Sequence, residues 1–118
     1  METGFVTVEV DGDKYPVSFN ATAMEHVEIY VGRPIGDVLT SFDGNISLNI
    51  TLGWIGLVHG YRLSGEKEKS EALTRLDFSD KFHIMQINTF LSVLPKFLPN
   101  PEKDAGQKKT IQKAAKNR

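Results

Sequence analysis

The sequence predicts an α+β fold in which an N-terminal β-hairpin packs on a mainly α-helical domain of about four helices, residues 1–98, followed by a flexible basic tail, residues 99–118. Three observations carry this expectation. Two segments of period-two patterning flank Asp11-Gly12-Asp13 near the start. Apolar residues then recur at three- and four-residue steps between residues suited to cap helices. Beyond Leu98 the large apolar residues almost vanish while lysines accumulate.

Phe5 to Val10 sets Thr7 and Glu9 between valines, and Lys14 to Phe19 puts Tyr15, Val17 and Phe19 on one face. Gly12, between these strands, can take the positive φ that tight hairpin turns require. Two strands alone are marginal in water, so their aromatic and valine face must lie against something else. Asn20 can cap a helix, because its side-chain oxygen can accept a bond from an unpaired N–H of the first turn. Ala23, Met24, Val27, Tyr30 and Val31 then form an apolar stripe over about Ala21 to Val31, and Gly32 supplies the stop. Pro34 suits the first turn of a second, short helix with Ile35, Val38, Leu39 and Phe42 on one side, ended by Asp43-Gly44.

Residues 45–58 carry two patterns at once. Asn45 to Leu52 alternates polar and apolar like a half-buried strand, whereas Leu48, Leu52, Ile55 and Val58 make a helical stripe with Ser47 as N-cap. Gly53, Gly56 and Gly60 each cost a helix about 1 kcal/mol relative to alanine, so a helix here needs tertiary packing to hold it. Local pattern leaves both open. Ser64 to Ser70 is polar with mixed charge and reads as a surface loop, with a short helical turn over Glu71 to Leu76. Ser79 is then expected to cap a long helix reaching about Leu98, with Ile84, Ile87, Leu91, Leu94 and Leu98 in register, kinked or broken at Pro95. Phe97 and Leu98 would emerge exposed beyond that break.

The 118 residues fit one domain and argue against a multi-domain enzyme. With no cysteine there is no disulfide scaffold, thiolate metal site or cysteine nucleophile. The longest nearly apolar run, Ile50 to Val58, is far short of the roughly 20 residues that span a bilayer, and no secretory signal is visible after Met1. The formal net charge of −1 is unevenly placed: residues 99–118 carry +4 and residues 1–98 carry −5. Because nucleic-acid affinity comes largely from lysine and arginine replacing condensed counterions, the acidic body is a poor phosphate binder. Only the tail could touch nucleic acid, and it has no aromatic residue to stack bases, so nucleic acid is not an expected partner.

The site chemistry tested by spacing is mostly missing. His26, His59 and His83 fit no zinc-binding spacing and read as surface or boundary histidines. Gly32-Arg33-Pro34-Ile35-Gly36 matches neither a Walker loop nor a dinucleotide fingerprint and reads as helix punctuation. Gly56 and Gly60 have small-xxx-small spacing, read here as a close packing site inside a soluble domain. No nucleophile elbow occurs, and the carboxylate pairs Glu25/Glu28, Glu66/Glu68 and Asp77/Asp80 fall on polar faces or in loops. The expectation is a non-enzyme without metal or cofactor. Trp54, the lone tryptophan, reads as core, although one tryptophan can dominate an interface.

The order hairpin, helix, Gly32 to Leu39 block and Trp54-Ile55-Gly56-Leu57 resembles the tail assembly chaperones of long-tailed bacteriophages and gene transfer agents. The carrying residues are the Asp11 to Tyr15 turn, Asn20 with Glu25, Gly32 to Leu39, and Trp54 to Leu57, across roughly residues 4–98. In that family the Trp-x-Gly-Leu block lies in a helix, so the resemblance implies helix over the alternation of 45–52. It further implies a protein of the host bacterial cytoplasm that binds the tape measure protein, keeps it soluble and helps recruit tail tube protein, without remaining in the mature virion. Such proteins often have a second, frameshifted product, for which Gln107 to Arg118 would be the junction. The chaperone reading predicts self-association into a homo-oligomer and protein contacts through Val17, Phe19, Trp54 and Phe97. A structural virion component, such as a head–tail connector or tube-associated subunit, is the alternative. A nucleic-acid module using the basic tail is the weaker third.

Overall fold

Val6–Val10 (β1) and Asp13–Val17 (β2) pair as a two-stranded antiparallel sheet in the computed structural model, which describes residues 3–98. Asp11 and Gly12 both take positive φ, 52° and 88°, the combination that a two-residue hairpin turn needs to match the twist of its strands. The register opposes Val8 to Tyr15 and Val6 to Val17, and Val8, Val10, Tyr15 and Val17 are buried on one side. Pro16 is tolerated because a two-stranded sheet leaves one edge of each strand unpaired.

The first two helices follow the sequence closely. In α1 (Ala21–Val31) the Asn20 side chain accepts from Ala23 N at 3.0 Å, and Gly32 closes the helix in the left-handed region at φ 79°. Pro34 immediately precedes α2 (Ile35–Ser41), and Glu28 Oε2 accepts from Ile35 N at 2.7 Å, tying the two helices together. Gly36, within α2, has open space where a Cβ would go. Gly36→Ala is expected to stabilise the protein by about 0.5 kcal/mol in urea unfolding, since the added methyl meets nothing and restricts only the unfolded chain.

Residues Ile46–Leu63 form one helix, α3, so the alternation of 45–52 yields to helix, as the resemblance implied. Its cap is Asn45, whose side chain accepts from Leu48 N at 3.0 Å, and not Ser47. The glycines explain how it holds. A Cβ on Gly53 would lie 2.8 Å from the Phe78 ring, and one on Gly56 2.7 Å from the Phe19 ring. At Gly60 the neighbour is backbone: a Cβ there would stand 1.9 Å from the Pro16 carbonyl oxygen. The end of β2 therefore rests directly on α3, and Ser18 N donates to the Gly56 carbonyl at 3.0 Å. The small-xxx-small spacing is a packing site, as read from the sequence.

Three boundaries differ from expectation. The segment read as a surface loop contains α4 (Lys67–Ala72), anchored by Ser70 Oγ donating to the Val58 carbonyl at 2.8 Å; its polar sequence hides one inward residue. The helical turn expected over Glu71 to Leu76 is interrupted by extended Leu73, after which Thr74 caps α5 (Arg75–Lys81). The long helix from Ser79 to Leu98 does not form. Ser79 lies inside α5, Phe82 is extended, and His83 caps α6 (Ile84–Leu91) in a reciprocal capping box with Gln86. α6 ends before Pro95, which sits in a 3-10 turn, Leu94–Phe97. The break at Phe82 turns the chain so that Phe78, Phe82 and Phe90 pack edge to face or tilted around Tyr15, with centroids 4.9–5.5 Å apart. A straight helix could not bring Phe90 to Phe78 and Phe82. The architecture is the expected hairpin on helices, with six α-helices among the described residues because α4 is added and the last helix divides. The basic tail, residues 99–118, and the frameshift junction lie outside the described residues.

Candidate partner-binding surface

The four residues expected at an interface do not form one. Val17 and Phe19 are 0% and 1% exposed, so neither is available to a partner: Val17 lies on the buried side of the hairpin, and Phe19 packs over Gly56. Phe97 is half-buried rather than exposed, with its ring edge-on to Phe19 at 6.0 Å. The 3-10 turn folds it back onto the core instead of releasing it. Trp54, like Phe97, is half-buried.

Trp54 bridges two elements across α3. Its indole N–H donates to the Leu73 carbonyl at 3.0 Å, in the link between α4 and α5. Its ring meets Tyr30 and His26 of α1, with centroids 5.2 and 5.7 Å away. Tyr30, against the tryptophan, is 52% exposed, and Ile29, adjacent in sequence, is 74% exposed, so α1 presents an aromatic and an aliphatic side chain to solvent. The sequence stripe placed Tyr30 on the inward face. Ile29 was the readable signal, because it falls outside the three-four spacing of α1 and so has no core position to occupy. Ile46, Leu76 and Met85 are likewise exposed large apolar residues.

His26 and His59 lie under this surface. His26 Nδ1 and His59 Nε2 are 2.9 Å apart, and Arg62 Nε donates to His59 Nδ1 at 3.1 Å. Since Nδ1 accepts from the guanidinium, neutral His59 carries its proton on Nε2 and donates it to His26 Nδ1. Burial, then the nearby Arg62 charge and His26, push His59 down to about 4, and burial lowers His26. The sequence reading put both at the surface or boundary; His26 is half-buried, but His59 is buried against α1.

A cleft of about 580 Å³ lies between β2, the end of α3, α4 and α5. Tyr15 and Tyr61 form part of its wall, and Lys69 and Lys81 lie over the Tyr61 and Tyr15 rings at 5.6 and 5.5 Å. Burial raises the Tyr61 phenol above its usual range, and the bond to Glu66 raises Lys69. The lysines are held by aromatic faces and Glu66 instead of converging on one point. Among the described residues no three histidine, cysteine or carboxylate side chains could hold a metal ion together, and no helix is long and apolar enough to cross a membrane. No protein-family model, curated protein or solved structure matches the chain.

Proposed function

We propose that this protein is a phage tail assembly chaperone that docks the tape measure protein, keeps it soluble and helps recruit tail tube protein in the host bacterial cytoplasm. The observation that carries the reading is the exposed Tyr30 ring against half-buried Trp54, with exposed Ile29 next to it in sequence on the same helix. A tape measure chain exposes apolar helical stripes before the tube encloses it, and an aromatic and aliphatic face bordered by polar groups is suited to cover such a stripe. The hairpin-plus-helices architecture and the sequence resemblance support the same reading. Docking makes and breaks no bond, so no catalytic group is required of the chain.

Co-sedimentation of the full chain with a purified tape measure fragment tests it. The unmodified protein is expected to keep the fragment in the supernatant, and Ile29→Asp/Tyr30→Asp to weaken binding by about 30-fold, the loss of one interface hot spot. Both side chains are exposed, so circular dichroism of the variant should match the parent. Equal binding by both proteins overturns the surface assignment. Stoichiometric copies in purified virions would instead favour the structural component.

A further inference from the structure

We propose that the His26–His59 pair is an acid-released latch holding α1 on α3. The pair joins α1 to α3 through one hydrogen bond whose polarity is set by Arg62, so every ring nitrogen at the contact already has a fixed role. Protonating His59 puts an N–H against the Arg62 guanidinium, and protonating His26 puts an N–H against the His59 donor. Either event replaces a donor–acceptor contact by two opposed donors, and both together gather three cations at one place.

Among the described residues no acid offsets that charge. Around the pair, α3 contributes Arg62; on α1, Glu28 is engaged with Ile35 N, and Glu25 lines a cleft with Glu28 and Ile35 on the α2 side. Arg33, beyond α1, bonds Ser41. From α4, Lys69 pairs with Glu66 beside Tyr61, and in α5 Arg75 reaches Thr51 and Ser47. β2 meets α3 at Gly60 through the backbone of Pro16 and Val17, while its Asp13 and Lys14 line the other cleft. The ion pairs found among the described residues, Lys67–Glu71 and Lys69–Glu66, include neither ring.

Apart from the pair, α1 is held by half-buried Met24 and Val31, the Tyr30–Trp54 contact and two buried side chains. Ala23 and Val27 are its buried residues, against ten buried along α3. The direction follows from linkage: both histidines bind protons less readily when folded, so the unfolded or opened state takes up more protons at acid pH and stability rises with pH. The α1–α3 contact is therefore complete above about 6.5, the ordinary histidine value, and is lost progressively as pH falls toward about 4. The order of events is opening of α1, with hairpin, α3 and α6 still packed through the phenylalanine cluster.

Trp54 reports on the latch because it touches His26 and Tyr30 and is the lone tryptophan. Titrating the full chain from neutral pH downward should give a Trp54 emission change within that window, while most of the far-UV helical signal persists. In His26→Gln/His59→Gln, whose amides can still bond but cannot gain charge, the change should disappear. Ring-proton NMR of the unmodified chain gives a readout independent of whether that variant folds: His26 and His59 should titrate together below the ordinary value, with α1 amide exchange accelerating in step. Flat Trp54 emission across the window, an unchanged transition in the glutamine variant, or two rings titrating independently at the ordinary value each overturns the latch.

Discussion

Gly60→Ala should destabilise the protein by about 2–3 kcal/mol in urea unfolding, the opposite sign from a usual glycine replacement within a helix. Alanine would favour α3 by about 1 kcal/mol through backbone propensity alone. That gain is outweighed because the new methyl would sit 1.9 Å from the Pro16 carbonyl oxygen, 2.2 Å from its carbon and 2.6 Å from Val17 N. None of these atoms belongs to a side chain that can rotate away. β2 must lift from α3, and the Ser18 N–H to Gly56 carbonyl bond, 3.0 Å long, lies a few atoms from the contact that has to open. Gly53 and Gly56 face ring edges instead, so their alanine variants can relax by shifting Phe78 or Phe19 and should lose less. A Gly60→Ala variant as stable as the parent would show that the hairpin does not rest on α3 in this way.

Phe90→Ala should be more damaging, with an expected loss of about 3–5 kcal/mol, a large part of the roughly 5–15 kcal/mol that keeps a domain folded. Phe90 is fully buried and its ring meets Tyr15, Phe78 and Phe82 at 5.5, 5.3 and 4.9 Å. It thus joins the hairpin, α5 and α6 in one cluster, and its removal leaves a cavity bordered by the rings of Tyr15 on β2, Phe78 in α5 and Phe82 at the α5–α6 break. Rigid rings so placed collapse poorly into such a space, which places the loss toward the upper end for a large-to-small change. Phe97→Ala is the internal comparison: half-buried and touching Phe19 at 6.0 Å, it should lose less than half as much. Thermal unfolding of the two variants beside the parent reads the difference directly.

The partner surface was only partly legible before the fold was known. Apolar character marks residues able to enter a core, but it does not say which of them the core accommodates. Val17, Phe19 and Phe97 looked as suitable for a partner as Ile29 does, and they differ because α3 offers Gly56 as a seat for Phe19 and Phe19 in turn receives Phe97. Tyr30 lay on the inward stripe by spacing, yet Trp54 already fills the gap between α1 and the α4–α5 link, so the tyrosine ring caps the tryptophan from outside. The histidine pair had no sequence signal at all: His26 and His59 are 33 positions apart and meet only because α1 crosses α3.

Features governed by interactions within three or four residues could be read from the chain alone. The Asp11-Gly12 turn, the Asn20 cap and the Gly32 stop each depend on a local φ or a local hydrogen bond, and the structure places all three as expected. Packing decided the remainder. Residues 45–52 suit either strand or helix by pattern, and helix prevails because Gly53, Gly56 and Gly60 give Phe78, Phe19 and Pro16 room that a side chain would deny. The division into α5 and α6 follows from the same cause, since Phe90 reaches Phe78 and Phe82 only if the chain turns at Phe82. Contact energies of this kind depend on atoms contributed by residues far away along the chain, and no window of neighbouring residues contains them.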